Sequence, residues 1–182
     1  MGKDASAPVT ESFAQYTARL LSYLEGEDEL ALLAAAPDRL ASLVRGLPAE
    51  VLDRSPSPGK WCIREIAAHL ADDELVGLYR IKMILSAPGT AIQAFDQDVW
   101  ARTGRYRARD VNESLALYRA LREANLSLLR SLTPAEWEMH GVHAERGVES
   151  VRHIARLYAG HDINHFRQIE AIRGRAPPRE AE

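Results

Sequence analysis

The sequence of 182 residues has a single cysteine, Cys62. That excludes an internal disulfide and a zinc cage of several thiolates, and it suits a reducing cytoplasm. Long hydrophobic runs are absent too. The longest, such as "LALLAAA", fall far short of the ~20 apolar residues that span a bilayer, so no membrane partner is expected. No secretory signal is legible at the start. The opening "MGKDAS" meets the loose myristoylation pattern through Gly2 and Ser6, but one acyl chain anchors only marginally, and a mobile N-terminus is the expectation. Charge of one sign is also scarce: the net value is −3, with no basic stripe, which argues against a nucleic-acid partner. A small-molecule substrate is the remaining expectation.

What is present is an ordinary globular composition of 46% hydrophobic and 27% charged residues, enough to bury one core in one domain. Periodicity predicts an all-α chain with four long helical segments and no convincing strand. The first is interrupted: "ESFAQYTARLLSYLE", the Gly26 region, "ELALLAAA", then a restart at Pro37 running to Arg45. The loop "RSPSPGK" leads into a second helix from Cys62 to "SAPGT", and a third runs from near Asp110 to Leu132. The His- and Gly-rich stretch "MHGVHAERGVES" reads as a loop before a fourth helix, Ser150 to Arg173, stopped by Gly174 and Pro177. The pattern is that of a four-helix bundle with a long crossover connection. The organisation expected is an N-terminal segment with a short helix over 1–27, the bundle over 28–175, and a flexible tail over 176–182.

The stripe 151, 154, 158, 161, 165, 168, 172 of the fourth helix reads Val, Ile, Tyr, His, His, Gln, Ile. It alternates steps of three and four, as an inward bundle face does. His161 and His165 therefore share one face, about 40° apart around the axis and one turn apart along it. The second helix presents Cys62, Ile66, His69, Asp73, Val76, Arg80 and Met83 in the same way. Two imidazoles at i and i+4 facing a third suit a three-histidine metal site, with a fourth position left for water or substrate. A core histidine can equally be satisfied by hydrogen bonds, and H-x3-H arises by chance, so spacing alone leaves the two readings level.

Two motifs separate them. "PGKWCIREIAAHLADDE" and "GHDINHFRQI" resemble the paired signatures of the DinB/YfiT-like bundle superfamily. Between them "AFDQDVWA", "RALREANLSLLRSLTPAEW" and "GVHAERGVES" follow in the family's order, so the resemblance runs from about Leu30 to Arg173. It implies a four-helix bundle holding a divalent ion, Ni²⁺ or Zn²⁺ foremost, with Fe²⁺, Mn²⁺ or Co²⁺ as further options. The family's ligands fall on His69, His161 and His165. Several members are S-transferases that use bacillithiol or mycothiol, and others are described as metal-dependent hydrolases. The resemblance thus implies a thiol-dependent transferase or isomerase acting on small electrophiles, with a low-molecular-weight thiol as cosubstrate. A hydrolase using water and a non-catalytic metal- or thiol-binding module are the alternatives, and a homodimer accords with relatives. The family's serine before Ile-x-x-Glu is Cys62 here, a poorer N-cap acceptor that leaves more of the cap to Glu65.

Other polar residues carry weaker expectations. Asp72 and Asp73 follow His69 by three and four residues, where a carboxylate orients a ligating imidazole, while Glu74 is expected on a solvated face. Asp162, in a comparison of "HDINH" with the H-E-x-x-H motif, falls about 100° off His161, which points it away from the seam. His143 is a candidate for substrate contact, though a solvated loop histidine is the simpler account, which also serves for His140; His153 lies off the seam. Arg80, Arg122 and Asn125 lie at or near inward positions, so a partner such as Asp73 or a substrate carboxylate is expected beside them. Asp73, Arg122 and His143 are the candidates for catalytic roles. Trp61 and Trp100 read as lids or core pieces.

Overall fold

The computed structural model describes residues 11–174; Gly2, Ser6 and the expected tail at 176–182 lie outside them. Twelve short and long elements follow in order: α1 (Phe13–Ser22), α2 (Glu29–Val44), α3 (Ala49–Leu52), α4 (Ile63–Ser86), β1 (Ala91–Ile92), α5 (Gln97–Thr103), a 3-10 turn (Tyr106–Ala108), α6 (Val111–Ser131), α7 (Pro134–Trp137), β2 (His140–His143), β3 (Gly147–Ser150) and α8 (Val151–Arg173). Helix starts are fixed by side chains that accept first-turn N–H groups: Ser12 for α1, Asp28 for α2, Asp110 for α6 and Ser150 for α8. At α4 the Glu65 carboxylate accepts the Cys62 N–H at 2.9 Å, so Glu65 takes the larger share of that cap, as the poor acceptor at Cys62 requires. Cys62 itself is fully buried, and burial pushes its thiol up to about 11.

α4 and α2 each pack against both α6 and α8, so α2 and α4 sit across the bundle diagonal, as do α6 and α8. The longest connection, 87–110, joins the neighbours α4 and α6, while 45–62 and 132–150 cross the diagonals. Two apolar lobes fill the interior. One holds Leu40, Ile66, Leu70, Tyr118, Phe166 and Ile169; the other holds Leu33, Ile81, Ile84, Leu126, Leu129 and Ile154. Between them runs a slice of buried polar side chains: His69, Asp73, Glu74, Arg122, Asn125, His161, Asp162 and His165.

Three local expectations are corrected. α2 runs unbroken through Pro37. A proline cannot donate to the carbonyl four residues back, and that carbonyl, Leu33, accepts from Arg122 Nη1 at 3.1 Å instead. The "MHGVHAERGVES" stretch is a hairpin, β2 pairing antiparallel with β3 from His140↔Ser150 to His143↔Gly147, and β1 adds in parallel on its other edge. Gly147, at φ 78°, supplies the left-handed residue that closes it. Asp162 is buried rather than turned outward, because α8 is packed on by α1, α2 and α4 and so has more than one inward face.

The docking of α1 depends on Gly160, where a Cβ would strike the Leu20 carbonyl of α1. This close approach brings Tyr16 and Phe13 to the side of the bundle next to His161, where they wall a cavity.

Candidate metal centre

His69 on α4 and His161 and His165 on α8 meet in the polar slice, all nine-tenths or more buried. The Nε2 atoms converge: His69 to His161 is 3.2 Å and His165 to His161 is 3.0 Å. One ligand atom from each of the three lies within 4.8 Å of the others. The rings stand steeply to one another, with interplanar angles of 62°, 74° and 82°, so each aims an edge at the common point.

The outward nitrogens decide the tautomers. His165 Nδ1 donates to Gln168 Oε1 at 2.8 Å, which puts its proton there and leaves Nε2 bare. His161 Nδ1 faces Asp73 Oδ2 at 3.4 Å, which favours the same tautomer. Two bare lone pairs then face each other at 3.0 Å with a third imidazole nitrogen beside them. Such a cluster repels itself unless a cation lies between, and three neutral imidazoles are a donor set that suits Zn²⁺, Ni²⁺ or another late transition ion. The residues fit a metal. Burial holds the imidazoles neutral. It pushes His161 down to about 4, with Arg122 and Arg146 adding to the effect. His69 is lowered by burial and then by His165 and His161, and His165 by burial and then by His161.

Trp61, from the loop before α4, covers one side of the cluster, with its ring centre 4.7 Å from His69 and nearly parallel to His165 at 6.3 Å. On the other side His161 and Asp73 form part of the wall of a cavity of about 740 Å³, together with Tyr16, Arg80, Phe95, His143, Arg146 and Tyr158. The Asp73 carboxyl is raised to about 7, by burial and then by Glu74, with Arg80 opposing.

The DinB superfamily model matches residues 32–169. The chain belongs to the DinB superfamily. A protein of Oceanobacillus iheyensis named "Putative metal-dependent hydrolase" is 32% identical over 136 residues, covering 75% of this chain and 78% of its own. A Bacillus licheniformis protein of the same designation is 34% identical over 144 residues, or 79% and 82% of the two chains. The solved structure of YfiT from Bacillus subtilis, described as "a probable metal-dependent hydrolase with an unusual four-helix bundle topology", superposes with a TM-score of 0.76 at 23% identity, covering 94% of this chain and 91% of that one. At that identity the likeness bears on the fold.

In this DinB-superfamily chain the remaining polar residues sort by what they touch. Asp72 pairs with Arg109 at 2.7 Å and leaves the imidazoles alone; of the two candidate carboxylates, Asp73 is the one at the cluster, and it faces His161 rather than His69. His69 Nδ1 has no hydrogen-bond partner among the described residues. Arg122 is remote from a substrate role: its guanidinium reaches Glu74 at 2.6 Å and Asp162 at 2.8 Å inside the bundle, and Asn125 adds a 2.8 Å bond to Glu74. Glu74, expected in solvent, is 2% exposed, so that expectation is overturned by the same packing that buries Asp162. His143 points inward from β2 and is buried; its Nδ1 accepts the Glu145 N–H at 3.1 Å, which places its proton on Nε2. Burial, and then Arg146, lowers its pKa. Trp100 packs on Phe95 at 4.6 Å. Tyr158 continues the inward stripe of His161 along α8, whereas Tyr16 and Arg146 are cavity residues that no sequence pattern groups with it, because they come from α1 and the hairpin.

Proposed function

We propose that His69, His161 and His165 hold a divalent metal ion and that the protein is a metal-dependent enzyme acting on a small electrophile with a low-molecular-weight thiol as nucleophile. The observation that carries the metal is the convergence of three neutral imidazoles, with the Nε2 atoms of His69 and His165 both within hydrogen-bonding distance of His161 Nε2 and one ligand atom from each of the three within 4.8 Å of the others. When bound, a divalent ion on neutral ligands keeps its full charge and lowers the pKa of a thiol or water that reaches it. The choice of thiol over water rests on the surrounding acids. Glu74 and Asp162 are held by Arg122, Asp72 by Arg109, and Asp73 faces His161. Water, the more weakly acidic nucleophile, leans on a general base more heavily than a thiol does, and of these four acids only Asp73 is without an arginine partner, its carboxyl turned to His161.

The chain's own contributions follow from the geometry. Gln168 and Asp73 fix the two α8 imidazoles, Trp61 shields the cluster from one side, and the cavity on the other side receives the electrophile. Hydrolysis is the second reading, supported by the names of the relatives.

A test incubates Zn²⁺- and Ni²⁺-loaded protein with chlorodinitrobenzene, monochlorobimane and p-nitrophenyl acetate, with and without cysteine or glutathione, and identifies products by mass. Thioether formation that is lost in His161→Ala supports the transferase. Ester cleavage that ignores thiol but is lost in the same variant shifts the reading to hydrolysis. Rates unaffected by the substitution contradict both.

A further inference from the structure

Arg80 stands out among the buried charges. It lies on α4 in the cavity wall, 7% exposed, yet it forms no ion pair among the described residues. Its Nη2 donates to the Gln93 carbonyl at 2.8 Å and its Cζ lies 5.7 Å from the centre of the Phe95 ring. A neutral carbonyl and an aromatic face hold the guanidinium in place without cancelling its charge. Its Nε is buried with no hydrogen-bond partner among the described residues. The other cation of the wall, Arg146, is by contrast matched twice by Glu149, through Nε and Nη2.

A second unmet donor belongs to the same cavity. Tyr158, on α8, lines it and has a buried hydroxyl with no hydrogen-bond partner among the described residues. Its ring lies against Gly77, one turn before Arg80 on α4, where a Cβ would come within 2.6 Å of Cε1. The missing side chain at Gly77 is what lets the tyrosine lie against α4. A buried guanidinium without a direct ion pair and a buried hydroxyl without an acceptor are each costly alone. An anion that accepts from both removes the two costs together, and arginine's planar fork suits a carboxylate in particular.

We propose that Arg80 and Tyr158 receive a carboxylate on the small molecule that enters the cavity, so that the site selects acids over their neutral analogues. Arg80 stands about two helical turns beyond Asp73 on α4, roughly 10 Å of axial rise, and makes no contact with the imidazoles among the described residues, so Arg80 is a specificity-determining residue rather than a catalytic one. The inference rests on the proposed metal-dependent reading for the far end of the ligand, but the anion site is testable without it.

The experiment measures binding of 6-mercaptohexanoate and 6-mercapto-1-hexanol to the Zn²⁺-loaded protein by titration calorimetry. In parallel, the Arg80 side-chain Nε–H is followed by ¹⁵N NMR in metal-free protein with hexanoate or hexanamide. The acid is expected to bind about 10- to 100-fold more tightly than the alcohol. Arg80→Gln should abolish that preference while moving the alcohol's affinity less than about twofold, and Tyr158→Phe, which keeps the ring, should reduce the preference several-fold. Equal binding of acid and alcohol by the wild type overturns the inference and leaves the metal centre standing. If neither thiol binds the Zn²⁺-loaded protein but hexanoate shifts the Arg80 resonance, the anion site stands and the thiol reading of the metal centre falls. An Arg80 resonance indifferent to hexanoate, with no acid preference, removes the proposal.

Discussion

Arg122→Met is expected to destabilise the fold by about 3–5 kcal/mol, read as a lowered urea midpoint with an unchanged slope. The arginine is 1% exposed and touches three other helices at once: Glu74 on α4, Asp162 on α8, and the Leu33 carbonyl that Pro37 leaves free on α2. Burial works to lower its pKa, but Asp162, Tyr118 and Glu74 outweigh that and hold it well above the ordinary arginine value. Removing the cation leaves two buried carboxylates facing each other and one orphaned carbonyl. The large loss comes from that exposed frustration more than from the ion pairs themselves, so a triple variant, Arg122→Met with Glu74→Gln and Asp162→Asn, should recover a substantial part of it. A loss under about 1 kcal/mol in the single variant would show that the network is slack.

Metal removal gives the second large effect. An ion bound by the folded state alone stabilises it by RT ln(1 + [L]/Kd), about 4 kcal/mol at a thousandfold excess over Kd. Thermal unfolding of the wild type with Zn²⁺ and with chelator should therefore differ by that order. His161→Ala should erase the difference, since this imidazole is the one within 3.2 Å of both others. Cys62→Ser should preserve it, because the thiol belongs to the first turn of α4 and not to the cluster. A metal-dependent shift that survives His161→Ala would place the ion elsewhere.

The three-histidine cluster was legible because a helix has one dominant period: His161 and His165 fall on the same stripe as Ile154 and Ile172, and His69 on the stripe of Ile66. The same reasoning failed for Glu74 and Asp162. A helical wheel with a single inward face sends both outward, whereas α4 and α8 are each flanked by several helices and bury a second face. Nothing local to either acid reveals that; the unmatched Arg122 was the available signal, since a buried arginine implies buried acids. Pro37 misled for a related reason. Its cost is a lost hydrogen bond, and the compensating donor sits 85 positions along the chain, 122 minus 37. The hairpin at 140–150 escaped because four-residue strands carry too few alternations to register. With it went the grouping of His143 and Arg146 with Arg80 and Tyr158, in a cavity assembled from five separated segments of chain.

The most direct measurement is X-ray absorption at the zinc edge of protein loaded with one equivalent of Zn²⁺, in the wild type and in His161→Ala. The account predicts an ordered first shell that includes three imidazoles, with Zn–N near about 2.0–2.1 Å, and loss of that shell in the variant. A first shell of carboxylate oxygens or of the Cys62 sulfur, or a spectrum unchanged by His161→Ala, would contradict it.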